Sequence, residues 1–275
     1  MRIIKPASKS PKAMYGLVLL ACSAVSGSSL AAGEVHENEN QSSLAQPLSK
    51  WRVGFAVASV DAAYRGQKSE KFFVPVVGYE GEKVYFRGAE LGYRLYRKYG
   101  GELAAVVNIA PFRFEPKKNR ITELQQLDER DFRIETGLKL NQYTRYGRLT
   151  AQTMVNVRDF DTGYRASLGY HYSLSPQPQF WQLGPRVDIS YLSGSFTNYF
   201  YGISAAEAQR SGLSEYKGKA GWNTTVSVEG YYRLNERWTF AGSVGRTFID
   251  NEIRNSPMTK GSHTTSAFLY LSYQL

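Results

Sequence analysis

The stretch Thr264 to Leu275 reads Thr-Thr-Ser-Ala-Phe-Leu-Tyr-Leu-Ser-Tyr-Gln-Leu. Successive side chains of a strand point to opposite faces, so Leu269, Leu271, Tyr273 and Leu275 share one face while Tyr270, Ser272 and Gln274 share the other. The alternation runs to the last residue, in a chain that opens on an export-type leader. This predicts the final strand of an outer-membrane β-barrel. In lipid every backbone N–H and C=O needs a protein partner, so the last strand has to close onto the first.

Working outward, the same alternation recurs from Trp51 in blocks of about ten residues, the length of a tilted membrane strand. Trp51, Val53, Phe55 and Val57 alternate with Arg52, Gly54, Ala56 and Ala58. Phe132, Ile134, Thr136, Leu138 and Leu140 alternate with Arg133, Glu135, Gly137, Lys139 and Asn141. Tyr164, Ala166, Leu168, Tyr170 and Tyr172 oppose Arg165, Ser167, Gly169, His171 and Ser173. Trp181, Leu183, Val187, Ile189 and Tyr191 oppose Gln182, Gly184, Arg186, Asp188 and Ser190. One face is lipid-compatible, the other is rich in Arg and Gly, and the ends carry Tyr and Trp as aromatic girdles do. Arg246 breaks the pattern by sharing parity with Trp238 and Phe240, which predicts a bulge or an early exit from the membrane there.

Connections alternate in length. Short ones fall at Glu80–Glu82, Arg97–Gly101, Arg145–Gly147, Ser175–Gln179 and Asn235–Glu236; long ones at Asp61–Glu70, Glu115–Arg130, Gly194–Trp222 and Asn251–His263. Short periplasmic turns alternating with longer outer loops, and both termini in the periplasm, require an even strand number. A strand running unbroken from Lys83 to Tyr96 gives an odd total. A break near Gly88-Ala89 restores the rhythm and predicts an all-β, antiparallel transmembrane barrel of about 12 strands over residues 51–275.

The rest of the composition fits. The mean hydropathy of −0.40 looks water-soluble, yet a barrel with a polar interior turns only alternate residues to lipid. No apolar run beyond the leader reaches the length of about 20 residues that a transmembrane helix needs. Residues 1–31 read as a signal peptide: Arg2, Lys5, Lys9 and Lys12 form a basic region, Met14–Ala24 an apolar one, and Ser29-Leu30-Ala31 a cleavage site after Ala31. A competing reading takes Leu19-Leu20-Ala21-Cys22 as a lipobox with Cys22 acylated. Cleavage after Ala31 removes the one cysteine of the chain, leaving no disulfide framework. Residues 32–50 are polar and aperiodic, a disordered periplasmic lead-in. The formal charge of +10 raises nucleic acid as a partner, but an exported chain meets outer-membrane lipid and anionic lipopolysaccharide instead.

Residues that could carry chemistry are sparse. His36, His171 and His263 are scattered and no Cys pair exists, so no metal or cofactor is expected. Asp128-Glu129-Arg130-Asp131 reads as a solvated loop end, and Asp159-Phe160-Asp161 as a tight turn. The best hydrolase-like pair is Ser190 with His171, both ordinary lumen residues, and no catalytic set is assigned. The inward faces carry Arg52, Arg94, Arg133, Lys139, Arg148, Arg165 and Arg186, together with Glu135 and Asp188. They line either an anion-preferring pore or a lumen closed by Arg–carboxylate pairs. In the longest loop, Asn198–Gly202 is aromatic and turn-prone; Ser204 and Glu207 form a capping box for a short helix, Ala205–Ser211, stopped by Gly212.

The segment Asn198–Tyr216, with its Asn-Tyr-Phe-Tyr-Gly start and Ser-Gly-Leu-Ser-Glu-Tyr end, resembles the MipA/OmpV family. So do Ser256-Pro257-Met258, the Val74–Gly81 and Tyr85–Gly88 blocks, and Leu127–Arg130, in order, across about Trp51 to Leu275. The chain departs in its last residue, Leu275, where the family usually has Phe. The resemblance implies an outer-membrane protein without catalytic activity. It points to a scaffold joining a murein lytic transglycosylase to a bifunctional penicillin-binding synthase. Other members of the family are described as adhesins or porin-like proteins.

Overall fold

The alternation becomes twelve antiparallel strands among the described residues of a computed structural model, which covers 49–110, 112–175 and 180–275. The leader, its cleavage site, Cys22 and the lead-in up to residue 48 lie outside those residues. In chain order the strands are β1 (Trp51–Val60), β2 (Glu70–Glu80), β3 (Val84–Arg87), β4 (Glu90–Lys98), β5 (Gly101–Ala110) and β6 (Arg133–Thr144). They continue as β7 (Gly147–Asn156), β8 (Tyr164–Tyr172), β9 (Trp181–Leu192), β10 (Gly221–Arg233), β11 (Trp238–Phe248) and β12 (His263–Gln274). Each pairs with its sequence neighbours, and β12 pairs with β1, closing the barrel. The seam runs from Arg52 opposite Gln274 to Val60 opposite Ser266. Backbone bonds from Ser49 N–H to the Leu275 carbonyl at 2.9 Å and from Leu275 N–H to the Trp51 carbonyl at 3.1 Å tie its lower end.

The outward face is the one the sequence reads as lipid-compatible. Phe55, Val57, Leu138, Leu140, Leu168, Val187, Ile189, Val226, Val228, Leu269 and Leu271 are all exposed. A belt of this size on a water-facing surface would be an aggregation patch; against hydrocarbon it is matched to its solvent. Aromatic pairs ring both ends: Trp51–Tyr79 at 4.8 Å and Trp238–Tyr273 at 5.0 Å on the side of the termini, Tyr164–Tyr191 at 5.8 Å and Tyr191–Trp222 at 4.9 Å on the other.

The connections on the side of the termini are short, as at Tyr99–Gly100 and Arg145–Tyr146. The opposite, loop end carries the long segments 61–69, 193–220 and 249–262. The expected break near Gly88-Ala89 is present: β3 and β4 form a hairpin with Gly88 at φ +62°, a left-handed position that glycine takes without a Cβ clash. Because β3 has only four residues, it pairs with β2 at Gly78–Glu80 alone, and the wall above that hairpin has no further strand on β2's free side among the described residues.

Of the bulge or early exit expected at Arg246, the bulge is absent: the β11–β12 register runs unbroken from Trp238 opposite Tyr273 to Phe248 opposite His263, and Arg246 faces outward near the loop end, two residues before the strand stops. The register shift that does occur lies between β4 and β5, at Arg94–Tyr96. After the one-turn helix α1 (Thr122–Gln125), Asn198–Gly202 is not a turn but the second half of helix α2 (Gly194–Tyr201) with its C-cap, since the Ser193 hydroxyl caps the helix by accepting from the Phe196 N–H. Phe196 and Phe200, four apart, then fall on one helix face and are buried together. The capping-box helix lies where expected, as α3 (Ala205–Ser211), with Gly212 at φ +73° ending it.

Candidate functional site

The inward face of one half of the barrel wall is a lattice of ion pairs. The strand parity that sends leucines to lipid sends these charges inward, where an unpaired ion would cost several kcal/mol. Arg94 donates to Glu102 at 2.6 Å and to Glu80 at 2.6 Å, and Arg87 meets Glu80 at 2.5 Å. Both guanidinium groups lie over the Tyr85 ring, 4.1 Å from Arg87 and 4.8 Å from Arg94. That ring occupies the space in front of Gly92, where a Cβ would stand 2.0 Å from it, so the glycine is a clearance for the tyrosine. Lys139 bonds both Glu90 oxygens at 3.0 and 2.9 Å. Arg186 forks onto Asp188 at 2.7 and 2.6 Å, with Glu229 bridging to Arg148 at 3.1 Å. Glu135, fully buried, holds Arg165 at 2.8 Å and has Arg133 at 3.6 Å; Arg133 also donates to the Thr162 and Gly163 carbonyls at 3.0 and 2.6 Å.

Of the nine residues expected on the lumen face, eight are buried. Arg52 is half-buried and donates to the Gln274 side chain at 3.1 Å. Sequence reasoning missed the partners Glu80, Glu90, Glu102 and Glu229, though Glu102 shares parity with buried Ala104 and Val106, and Glu229 with buried Ser227. It also missed that the other half of the lumen is apolar, lined by Ala56, Ala58, Val74, Val76, Ala241, Phe268 and Tyr270. Ser190 and His171 are not brought together: Ser190 stands opposite Ser167, and His171 opposite Arg186.

The loop end is closed by a hydrophobic plug. Phe196, Phe200 and Tyr201 of α2 pack with Tyr64, Phe114, Leu124, Leu192, Ile203, Ile253 and Met258 from the other loops and strand ends. Fully burying such a side chain stabilises by about 1.5–3 kcal/mol. In the charged run before β6, Asp128, Glu129 and Asp131 are exposed as a solvated loop end would be, but Arg130 is buried, donating to the Tyr199 carbonyl at 2.7 Å and to Glu207 at 2.7 Å. Asp128 pairs with Arg210 at 2.6 Å.

Glu207 anchors α3 to this plug. Burial pushes its pKa up, but the N–H groups of Ser204 and Asp128 and the Arg130 guanidinium outweigh burial and bring it from 4.5 down to about 2. A carboxylate depressed in the folded state stabilises at any pH above its ordinary value and loses that contribution as pH falls through its folded value. Hydrogen-exchange protection of the Ser204 and Asp128 amides should therefore hold at pH 5 and fade only between about pH 4.5 and 2. A Glu207→Gln variant should show weaker protection with no step in that window.

The family described as MltA-interacting protein MipA matches residues 53–275. The chain belongs to that family. YiaT of Escherichia coli (strain K12), described as an outer-membrane protein, is 30% identical over 76% of this chain and 85% of its own length. MltA-interacting protein of the same strain is 26% identical over 78% of this chain and 86% of its own length. Among solved structures, Neisserial surface protein A aligns over 84% of this chain and 100% of its own, at 11% identity and a TM-score of 0.27. This MipA-family chain is a protein of the outer membrane, with its belt in lipid and its plug at the loop end.

Proposed function

We propose that this MipA-family protein works without catalysis, as an outer-membrane partner that holds a murein lytic transglycosylase and a bifunctional penicillin-binding synthase at the membrane. One observation carries the reading: paired charges and apolar side chains line the lumen under a packed plug, which leaves the barrel as an anchor and its rims as the working surfaces. The relative named MltA-interacting protein supports the choice of partner. On the side of the termini, the periplasmic side by the short-turn rule, the turns are brief but not bare. Tyr99 is 92% exposed and held at φ +53°, a left-handed conformation that costs a tyrosine energy, and Tyr146 is exposed at the next turn.

The test is affinity capture from membrane extracts under mild crosslinking. The intact protein should retain the transglycosylase, and should still do so after excision of Ala205–Ser214. A Tyr99→Ala, Tyr146→Ala variant should retain about tenfold less, the loss of about 1.4 kcal/mol of an aromatic anchor. Capture of neither enzyme would sink the scaffold. The runner-up, an adhesin or a small anion-preferring channel, places the work at the loop end. It requires that the excision abolish activity while no murein enzyme is captured.

A further inference from the structure

Backbone direction singles out one part of the wall. Glu80 N–H bonds to the Lys50 carbonyl of the neighbouring chain segment, so the even residues of β2 turn their polar groups toward β1. The odd residues turn the other way, and the Val77 carbonyl accepts from Gly88 N–H at 3.3 Å. Above that bond, Pro75, Phe73 and Lys71 face a side on which no strand pairs with them among the described residues. In lipid an unpaired backbone group costs several kcal/mol, so a β2 edge that no strand among the described residues pairs with at mid-height needs a reason. The sequence is adapted to an edge there: Pro75 has no N–H to leave unpaired, and proline is confined to the edges of sheets. Phe73, 69% exposed and stacked on Phe55 at 5.6 Å, makes an apolar threshold outside the gap.

Behind the gap, directly beneath the plug, lies a cavity of about 160 Å³. Both flanks of the gap line it, Glu70 and Phe72 from β2 on one side and Phe112 and Arg113 from the segment after β5 on the other. Arg113 reaches across to Glu70 at 3.2 Å, so a half-buried ion pair rather than a strand ladder closes the wall at this height. Tyr64 and Tyr201 of the plug line the same cavity, as do Arg165, Ser190, Thr225 and Thr247, the two threonine hydroxyls bonding each other at 2.9 Å. The plug closes the way in from the loop end and the ion-pair lattice lines the lumen below.

We propose that this cavity binds small, mainly apolar molecules with one polar end, about the size of a single aromatic ring, and that they enter from the outer leaflet through the gap between β2 and the segment after β5. A cavity of roughly 150 Å³ with an apolar lining is enough to hold benzene. Here the hydroxyls supply hydrogen bonds to a phenol-like or alcohol end, and the Glu70–Arg113 pair acts as the latch on the entrance.

The test uses 4-fluorophenol followed by fluorine NMR on the full barrel in lipid nanodiscs. Saturable binding is expected, abolished by Ser190→Phe, which fills the cavity, and retained by Val228→Phe on the lipid face. Thr247→Leu, a milder change in the lining, should weaken binding, and it replaces Ser190→Phe if that variant fails to fold. Glu70→Ala should speed exchange about two- to fivefold, the effect of losing a partly exposed ion pair. Bridging a Glu70→Cys, Arg113→Cys variant with dibromobimane should stop exchange on the NMR timescale. No saturable binding, or binding indifferent to the lining variants, overturns the site. Exchange unchanged by the bridge overturns the lateral route.

Discussion

Replacing Glu135 by leucine should lower the stability of the barrel by about 3–5 kcal/mol, the cost of leaving a buried charge without its partner. Glu135 sits with no exposed surface, and it is the carboxylate that Arg165 holds at 2.8 Å. Its loss leaves the buried Arg165 guanidinium without its carboxylate. Arg133 suffers less, because two carbonyls still accept from it. The double variant Glu135→Leu, Arg165→Met should therefore recover most of the loss, since replacing a whole buried pair by apolar groups of similar size is often neutral or better. Urea midpoints of the detergent-solubilised protein, read from the gel shift between folded and heated forms, would measure both. A single variant as stable as the parent would mean that water reaches Arg165 and that the lumen is wetter than its packing implies.

Phe200→Ala acts on the plug rather than on the wall. Phe200 is fully buried, 4.9 Å from the Phe196 ring, and its carbonyl accepts from the Tyr64 hydroxyl at 3.2 Å. Truncation of such a phenylalanine costs about 3–5 kcal/mol. The strand ladders do not depend on it, so the loss should appear as local opening: proteolysis within residues 193–220 should rise by about a hundredfold or more, while the heat-modifiable barrel persists. Global unfolding in step with the cleavage would show that plug and wall form one cooperative unit.

The wall was legible because its cause is periodic. Lipid outside and charge inside write a period of two into every spanning segment, and the strand number followed from loop lengths even at the Gly88-Ala89 break, where β3 is only four residues long. The capping box at Ser204 and Glu207 was legible for a local reason, a reciprocal bond between residues three apart. The pairing inside the lumen was not. That Arg94 meets Glu80 and Glu102, or Lys139 meets Glu90, depends on the register between strands, which alternation leaves open. The plug was hidden for the same reason: Tyr64, Phe114, Phe200 and Met258 come from four separate loops, and no single stretch carries the pattern of their shared core. α2 was misread because Asn, Gly and aromatic residues are weak helix formers, and tertiary burial overrode that preference.

The seam between β1 and β12 also sets the order of assembly. Arg52 finds its strand partner at Gln274, across nearly the whole described chain, so β1 waits unpaired along that edge until the last strand arrives. Every other ladder joins strands adjacent in sequence and can form as hairpins from nearby parts of the chain. Closing so long a loop carries a conformational cost that grows with the logarithm of its length, and contacts of such high sequence separation form slowly. Completion is therefore an all-or-none final act: a growing sheet with two bare edges becomes lipid-compatible only when its ends meet. A substitution that weakens Val57 opposite Leu269 or Phe55 opposite Leu271 should slow membrane insertion more than an equal loss at any sequence-adjacent hairpin.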